Sequence, residues 1–314
     1  MKIEKKFFQH LRKGSFFKEH EKILVAFSGG GDSVSLVQLL LSVQNVYHLD
    51  IHLAYVNHDL RKTSLEEERF VRQFASQYNL PLHVKKWQEG KKLTSGIEVS
   101  ARNFRYDFFA ELLKREHFTK LLTAHHADDL TETIVMKLIR GSHFFRLSSL
   151  SERRKFQHSE LIRLLLPFSK SELEEYLQEK NQHFIFDESN ESSKYFRNRV
   201  RNEVLPFIKK ENPAYVQAMN NFSKTNEYLR QFLQKTAQGF FKENLKKNTL
   251  SGLKFLSREE RFIYLMMFFE NRLEINKHQL EETLNLLEGK QFPKEVQLTN
   301  GNILQIHADN VTIL

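Results

Sequence analysis

The chain has 314 residues, of which 40% are hydrophobic, 28% are charged and none is cysteine. These values indicate a folded globular protein and exclude a disordered chain, a disulfide scaffold and thiolate chemistry. The 48 Lys and Arg residues against 39 Asp and Glu residues favour a polyanionic partner, although scattered surface lysines produce the same excess. Without an apolar run long enough for a membrane span or a signal-peptide centre, we expect no membrane association and a cytoplasmic protein.

The first two hundred residues alternate short β-rich runs with helical stretches. The β-rich runs are Ile23–Phe27, Ile51–Asn57, Leu82–Trp87 and Lys120–Ala124. Apolar residues at three- and four-residue spacing predict helices over Ser33–Leu41, Ser64–Tyr78 and Glu98–Glu116. This alternation predicts an α/β fold with a parallel, Rossmann-like sheet covered by helices on both faces. We expect Leu161–Leu166 and Phe184–Glu188 to extend the sheet or its margin.

The pattern changes after Asn212-Pro213. From Ala214 to about Glu288 nearly every stretch has helical spacing. The last residues contain a Thr-Asn-Gly-Asn turn at 299–302 between alternating runs, which is typical of a β-hairpin. We therefore predict an α/β domain over residues 1–212 and a small, mostly helical domain with a terminal hairpin over residues 213–314.

A glycine-rich loop, S-G-G-G-D-S, joins the first predicted strand to the first of the helices between strands. Glycine lets backbone amides converge on an anion, and the following helix N-terminus adds partial positive charge. The loop therefore predicts a phosphate site, in which Asp32 can hold a magnesium ion against phosphate oxygens. A tight turn with Asp32 or Ser33 as helix cap is the alternative. The phosphate-binding candidates are Ser28, Gly29, Gly30, Gly31, Asp32 and Ser33.

Further along, E-V-S-A-R-N-F-R-Y places Arg102 and Arg105 on a predicted helix. Two arginines at this spacing can clamp a phosphate or a carboxylate, and an ordinary solvated helix face is the alternative. The stretch N-H-D-L-R over Asn57–Arg61 follows the second strand, where the carboxyl edge of a parallel sheet binds ligands.

The stretch T-A-H-H-A-D-D-L-T-E-T follows the fourth predicted strand. If a helix begins there, His125, Asp129 and Glu132 share one face that points toward the carboxyl edge of the sheet. A histidine and two acids at this place suit a cationic amine, a magnesium ion, or both. Acids that favour a helix N-terminus electrostatically are the alternative.

A basic helix near the end of the first domain carries Arg197 and Arg201 on one face. A solvated face explains most such runs. Between two domains, however, this face is well placed to touch a polyanion, and both arginines are candidate RNA-binding residues.

The glycine loop resembles the PP-loop of ATP pyrophosphatases, the adenine nucleotide alpha hydrolase-like enzymes. Together with N-H-x-L-R, E-x-x-A-R-x-x-R-Y, H-H-x-D-D-x-x-E-T, R-G-S and R-N-x-x-R-x-x-x-x-P, it resembles the tRNA(Ile)-lysidine synthetase family. These motifs run in order from Ser28 to Pro206. The chain departs from the family pattern at Leu130, at Leu164 and in the stretch after Gly141.

The resemblance implies ATP-dependent ligation of L-lysine to the wobble cytidine of tRNA(Ile) with a CAU anticodon, through an adenylated RNA and with release of AMP and pyrophosphate. It implies Mg²⁺ held by Asp32 and an α-phosphate charge offset by Arg105. Asp129 and Glu132 would hold the ammonium groups of lysine, and His125 would orient ATP or remove a proton. It also implies that the helical domain binds tRNA, and it leaves the oligomeric state open between monomer and homodimer.

Two other functions stay open at this point. A small-molecule amide synthetase of the NAD-synthetase kind would use the same loop but leaves the net charge of +9 unexplained. A non-catalytic tRNA-binding protein would explain the charge but not the intact loop aspartate and acidic pair. The absence of cysteine argues against a sulfur-transferring enzyme.

Overall fold

The computed structural model describes residues 2–59, 63–88, 96–142, 144–147, 150–186, 195–270, 272–273, 275–298 and 301–314. The chain divides into two compact units, Met1–Met136 with Leu150–Asn221 and Lys137–Ser149 with Phe222–Leu314. The assignment of a catalytic domain to residues 1–212 and a tRNA-binding domain to residues 213–314 stays a prediction. Four sequence features fall partly outside the described residues: the end of N-H-D-L-R, the stretch after Gly141, the end of the Phe184–Glu188 run and the first half of the 299–302 turn.

The first unit contains a six-stranded sheet with the order β3-β2-β1-β4-β6-β5. Its strands are β1 (Lys22–Ala26), β2 (Asp50–Asn57), β3 (Leu82–Lys86), β4 (Lys120–Leu122), β5 (Arg153–Phe156) and β6 (Ser159–Ile162). All neighbouring pairs are parallel except β5 with β6, which form an antiparallel edge. The predicted parallel sheet is confirmed, including its extension by the run that contains Leu161. Over its described residues, 184–186, the run that contains Phe184 forms one bridge, between Ile185 and Gly30.

The helices surround this sheet and continue into the second unit. In chain order they are α1 (Lys2–Gly14), α2 (Gly31–Tyr47), α3 (Ser64–Gln77), α4 (Ile97–Arg115), α5 (Ala127–Ile139), α6 (Phe144–Leu147), α7 (Lys170–Glu179), α8 (Phe196–Arg199), α9 (Leu205–Glu211), α10 (Tyr215–Asn244), α11 (Arg258–Phe269) and α12 (Lys277–Leu287). A π-helical turn over Val200–Val204 joins α8 to α9. Among the described helices, none combines the length and the apolar character that a membrane crossing requires.

The buried side chains of β1 alternate between the two faces of the sheet, as the twofold period of a strand requires. Ile23 and Val25 belong to one core cluster, which includes side chains of α1, α2, α3 and α7. Leu24 belongs to the opposite cluster with Phe108 and Leu112 of α4. Helices therefore cover both faces of the sheet, as predicted, and leave the ends of the strands as the place for a site.

The second unit combines α6, most of α10, α11 and α12 with a small antiparallel sheet. That sheet has the order β7-β8-β11-β10-β9, with β7 (Leu245–Lys246), β8 (Thr249–Leu250), β9 (Lys294–Gln297), β10 (Ile303–Ile306) and β11 (Val311–Ile313). The predicted hairpin is the β9–β10 pair. The sequence analysis did not predict the short β7–β8 pair, which interrupts the expected helical stretch.

Candidate functional site

The centre of the sheet places two loops side by side. The chain runs outward from β1 through β2 to β3, and then returns to β4 on the other side of β1. In such a sheet, ligands bind beyond the carboxyl ends of the strands where the order reverses. The glycine loop follows β1, and the His-His-Ala-Asp-Asp stretch follows β4. The topology therefore brings together the two motifs that the sequence analysis singled out.

The glycine loop is held in shape by its own two serines. Ser33 Oγ donates to the carbonyl of Gly30 at 2.9 Å, and the two serine hydroxyl oxygens lie 3.2 Å apart. The backbone N–H of Gly30 donates to Ser28 Oγ at 3.3 Å. Gly30 is the N-cap of α2. Because α2 begins directly after this turn, the partial positive charge at its N-terminus faces the space beyond β1.

Gly29 is the loop position at which the backbone requires glycine. Its φ is +82°, and an added Cβ would lie 2.5 Å from Cδ1 of Ile185. Ile185 is fixed there because its N–H donates to the carbonyl of Gly29 at 2.9 Å.

We expect Gly29→Ala to lower the free energy of unfolding by about 1–3 kcal/mol, through the left-handed backbone and the crowded Ile185. Gly30→Ala is the matched control, since φ at Gly30 is −71° and the nearest atom to an added Cβ is Ser28 Oγ at 3.5 Å. Urea unfolding of both proteins checks this. Equal losses at the two positions would contradict it.

Asp32, in the first turn of α2, lies between two cationic groups. Lys170 Nζ donates to its Oδ1 at 2.7 Å, and His126 Nε2 lies 3.6 Å from its Oδ2. Burial on its own would raise the pKa of Asp32, but His126 and Lys170 outweigh burial and hold that pKa well below its usual range. Asp32 is therefore a carboxylate at any working pH.

The two adjacent histidines have opposite environments. His125 is half-buried and its Nδ1 lies 2.9 Å from Thr123 Oγ1. Burial, with the charges of Arg163 and Arg197, lowers the pKa of His125 to about 4 against the attraction of Asp129. Burial also acts to lower the pKa of His126, but Asp129 and Asp32 raise it to about 8. At neutral pH the first histidine is neutral and the second carries a positive charge.

We expect a ¹⁵N NMR titration to find one ring of this pair titrating near pH 4 and the other near pH 8, with His125→Gln and His126→Gln as assignments. Between pH 4 and 6.5, His125 binds a proton more tightly in the unfolded state than in the folded state. The free energy of unfolding therefore increases as the pH rises through this range. The stabilisation of the folded state by charged His126 is fully present below about pH 6.5 and is lost as the pH rises through about 8. Two rings that both titrate near pH 6.5 would contradict these environments.

The predicted shared face of His125, Asp129 and Glu132 is only partly correct. Helix α5 begins at Ala127, so His125 precedes the helix and only the two acids lie on it. Both acids are buried, with Glu132 fully so. Their separation of three residues places them on one side of α5.

The partners of these two acids are the arginines that were candidates for RNA binding. Arg197 donates to Glu132 Oε2 at 2.7 Å and to Asp129 Oδ1 at 2.6 Å. Arg201 donates from Nε to Glu132 Oε1 at 2.7 Å. Burial acts to lower the pKa of Arg201, but the hydrogen bond and charge of Glu132, together with the charge of Asp129, outweigh burial and raise that pKa. Two carboxylates and two guanidinium groups thus form one neutral cluster beside the glycine loop.

Arg105 lies on α4, half-buried, and no carboxylate forms an ion pair with it within the described part of the chain. Burial, followed by the nearby charge of Arg102, lowers the pKa of Arg105, and Tyr106 opposes this.

The carboxylate of Asp128, by contrast, is held by contacts with two other side chains. It accepts from Lys209 Nζ at 2.8 Å and from the hydroxyl of Tyr215.

Sequence reasoning missed two residues of this site, Lys170 and His126. Lys170 is the first residue of α7, whose start is a capping box between Ser169 and Glu172. It lies 138 positions from Asp32, and no local pattern links the two. The sequence analysis selects His125 instead of His126, because the sequence of two adjacent histidines at a strand end does not show which ring faces the acids.

Asp32 is also the residue that fits a magnesium ion. Within the described ranges, no group of three or more His, Cys, Asp or Glu side chains could hold a metal alone. Mg²⁺ usually takes one or two protein carboxylates together with substrate phosphates and water, so a single aspartate at the glycine loop fits a magnesium–nucleotide complex.

The model of the PP-loop domain family matches residues 1–208 of the chain. A tRNA(Ile)-lysidine synthase of Enterococcus faecalis is 34% identical over 299 residues, which are 92% of this chain and 64% of that protein. A tRNA(Ile)-lysidine synthase of Streptococcus equi subsp. equi is 35% identical over 286 residues, 89% of this chain and 63% of that protein. The bifunctional protein TilS/HprT of Listeria monocytogenes is 37% identical over 248 residues, 78% of this chain and 38% of that protein. The chain thus spans less than two thirds of the length of these relatives.

Among solved structures, the U34-tRNA thiolase NcsA from Methanococcus maripaludis, with its 4Fe-4S cluster, is similar to this chain. The TM-score is 0.61 at 15% identity, covering 72% of this chain and 78% of that one. At this identity the likeness concerns the fold alone. It confirms the expected Rossmann-like α/β class.

Proposed function

The chain belongs to the PP-loop domain family, and from this premise we propose that it ligates L-lysine to C2 of the wobble cytidine of tRNA(Ile) with a CAU anticodon. ATP is the energy source, and AMP and pyrophosphate are released. One observation carries the proposal. A phosphate-type loop with an ionised Asp32 and a pair of buried acids, Asp129 and Glu132, meet at one edge of the sheet. The loop with Asp32 suits a nucleotide, and the two buried acids suit an amine.

In the proposed reaction the 2-carbonyl oxygen of the cytidine attacks the α-phosphorus of ATP. A bond forms between this oxygen and the α-phosphorus, the phosphoanhydride bond between the α- and β-phosphates breaks, and pyrophosphate leaves. The ε-amine of lysine then attacks C2, AMP leaves with the oxygen, and the amine loses its protons. Adenylation is needed because oxygen on this ring is otherwise a poor leaving group.

The glycine loop and Asp32 would hold the triphosphate. Ser28 and the first turn of α2 supply donors for phosphate oxygens, and magnesium bound at Asp32 would neutralise their charge. Lys170, 2.7 Å from Asp32, is close enough to exchange this contact for one with a phosphate. Arg105, which has no acid partner among the described residues, would offset charge on the α-phosphate.

Asp129 and Glu132 would attract the ammonium groups of lysine. Arg197 and Arg201 offset these carboxylates, so the pocket is close to neutral overall. A neutral pocket holds the amine without greatly favouring its protonated form, and only the unprotonated amine is a nucleophile. His125, with its pKa lowered to about 4, is available as a neutral base.

Arg197 and Arg201 would have a second role at the RNA. Their side chains remain 43% and 31% exposed despite their contacts with the acids. The solvent-facing edges would meet the RNA backbone, in keeping with the net charge of +9. These substrates suit a cytoplasmic enzyme. Analytical ultracentrifugation would measure whether it is a monomer or a homodimer in solution.

Incorporation of labelled lysine into tRNA transcripts tests the proposal, with ATP and magnesium present. Three RNAs are compared: tRNA(Ile) with CAU, the same RNA with its wobble cytidine replaced, and tRNA(Met), which has the same anticodon. Label in the first RNA alone is expected. Release of pyrophosphate with a small-molecule acceptor and no label in any RNA would overturn the proposal in favour of an amide synthetase. Salt-dependent RNA binding without turnover of ATP would overturn it in favour of a non-catalytic binding protein.

A further inference from the structure

One arginine is buried without a counter-charge from any described residue. Arg163 follows directly after β6 and is 2% exposed. One of its terminal nitrogens donates to the carbonyl of Ser151 at 2.6 Å, while its Nε is buried and has no hydrogen-bond partner in the part of the chain that the structure describes. Within the described residues, no carboxylate forms an ion pair with it. A buried guanidinium in this state is costly unless another group completes its hydrogen bonds.

The surroundings of Arg163 add positive charge instead of removing it. Burial lowers the pKa of Arg163 to about 10, Tyr106 opposes the change, and the charges of Arg154 and Arg102 deepen it. The guanidinium of Arg102 lies over the ring of Tyr106 at 4.9 Å. Arg105, on the same helix, also feels the charge of Arg102. Arg102 thus acts as a like charge, and Tyr106 as an opposing one, on both Arg105 and Arg163.

Arg163 lies at the edge of the sheet that carries the candidate site. Strand β6 is the parallel neighbour of β4, and the N–H of Thr123 donates to the carbonyl of Ile162 at 3.0 Å. Arg163 therefore emerges beside the start of the His125 stretch, and its charge contributes to the lowered pKa of His125. Arg163 is thus next in the sheet to the end of β4, which leads into the His125 stretch.

We propose that Arg163, with Arg102 and Arg105, forms an anion subsite that binds a phosphate group of the substrates. The inference rests on the proposed function for the identity of those substrates. A planar guanidinium suits a phosphate because two of its N–H groups can donate to two oxygens at once. The phosphate has two sources in this reaction, the α-phosphate that becomes AMP and the RNA backbone beside the wobble base.

The test compares Arg163→Lys and Arg163→Gln with the control Arg154→Gln, which removes a charge from an exposed neighbour on β5. Calorimetry measures the binding of AMP and of pyrophosphate, and filter binding measures tRNA at a series of salt concentrations. Weaker AMP binding by about tenfold, with unchanged pyrophosphate binding, supports the subsite and identifies the α-phosphate as its occupant. Weaker tRNA binding with a salt slope smaller by about one supports it with the RNA backbone as occupant.

Unchanged affinities for AMP and tRNA in folded Arg163 variants would overturn the proposal and leave Arg163 a structural cation. Where Arg163→Gln does not fold, Arg163→Lys carries the test, because lysine keeps the positive charge but cannot donate two N–H groups in the plane of a guanidinium. None of these measurements uses lysine incorporation. If the unmutated protein incorporates no lysine but the Arg163 variants still bind AMP more weakly than it does, the proposed function is wrong and the subsite is supported.

Discussion

An Asp32→Asn protein is expected to release pyrophosphate from ATP about 100-fold more slowly than the unchanged chain. Asparagine keeps the shape of the side chain but removes the charge that Lys170 contacts at 2.7 Å and that fits magnesium. Both His126 and Lys170 would then face the phosphates without the carboxylate that orders them. Pyrophosphate release in the presence of tRNA and lysine measures the effect.

Glu174→Gln is the matched control for Asp32→Asn. Glu174 lies 3.8 Å from Lys170 and is the second acid near that lysine, but it lies on α7, apart from the glycine loop. Its loss is expected to change the rate by less than about threefold, since exposed pairs of this kind contribute little. Activity of Asp32→Asn within tenfold of the unchanged chain, with normal unfolding, would remove Asp32 from the proposed site.

A Glu132→Gln protein is expected to lose about 3 kcal/mol of its free energy of unfolding. Glu132 is fully buried and accepts from both Arg197 and Arg201 at 2.7 Å. Removing one partner of a buried ion pair usually costs about 3–5 kcal/mol, and the low end applies because both arginines are partly exposed. Chemical unfolding with intrinsic fluorescence gives the value.

Two further proteins make this measurement specific. Glu175→Gln removes the same charge from an exposed position on α7 and is expected to stay within about 0.5 kcal/mol of the unchanged chain. Glu132→Gln combined with Arg201→Gln is expected to recover part of the loss, because the second change removes the charge left without its partner. A loss in Glu132→Gln no larger than in Glu175→Gln would mean that the cluster does not stabilise the fold.

The neutral charge of this cluster changes how the acidic pair is interpreted. Taken alone, two buried acids near a phosphate site indicate a strong attraction for a cation. With Arg197 and Arg201 in contact, the attraction is already largely balanced. For the proposed function, we expect selectivity for lysine to depend on the geometry of the four side chains more than on net charge.

The sequence by itself determined the features that depend on neighbours along the chain. The alternating runs gave the strands of the parallel sheet, because a strand and a helix bury their apolar side chains at different periods. The glycines and the two serines of the loop determined its turn, since their contacts lie within five residues. The order of motifs also sufficed to indicate the family.

The tertiary structure alone decided which side chains meet. Arg197 contacts Glu132 across 65 residues, Lys170 contacts Asp32 across 138, and Arg163 has a buried nitrogen without a partner among the described residues. No spacing in the sequence encodes such pairs, because they depend on strand order and on where each helix starts. The same reason explains why the sequence analysis placed His125 on the helix with the acids, although α5 begins two residues later and His126 lies between Asp32 and Asp129.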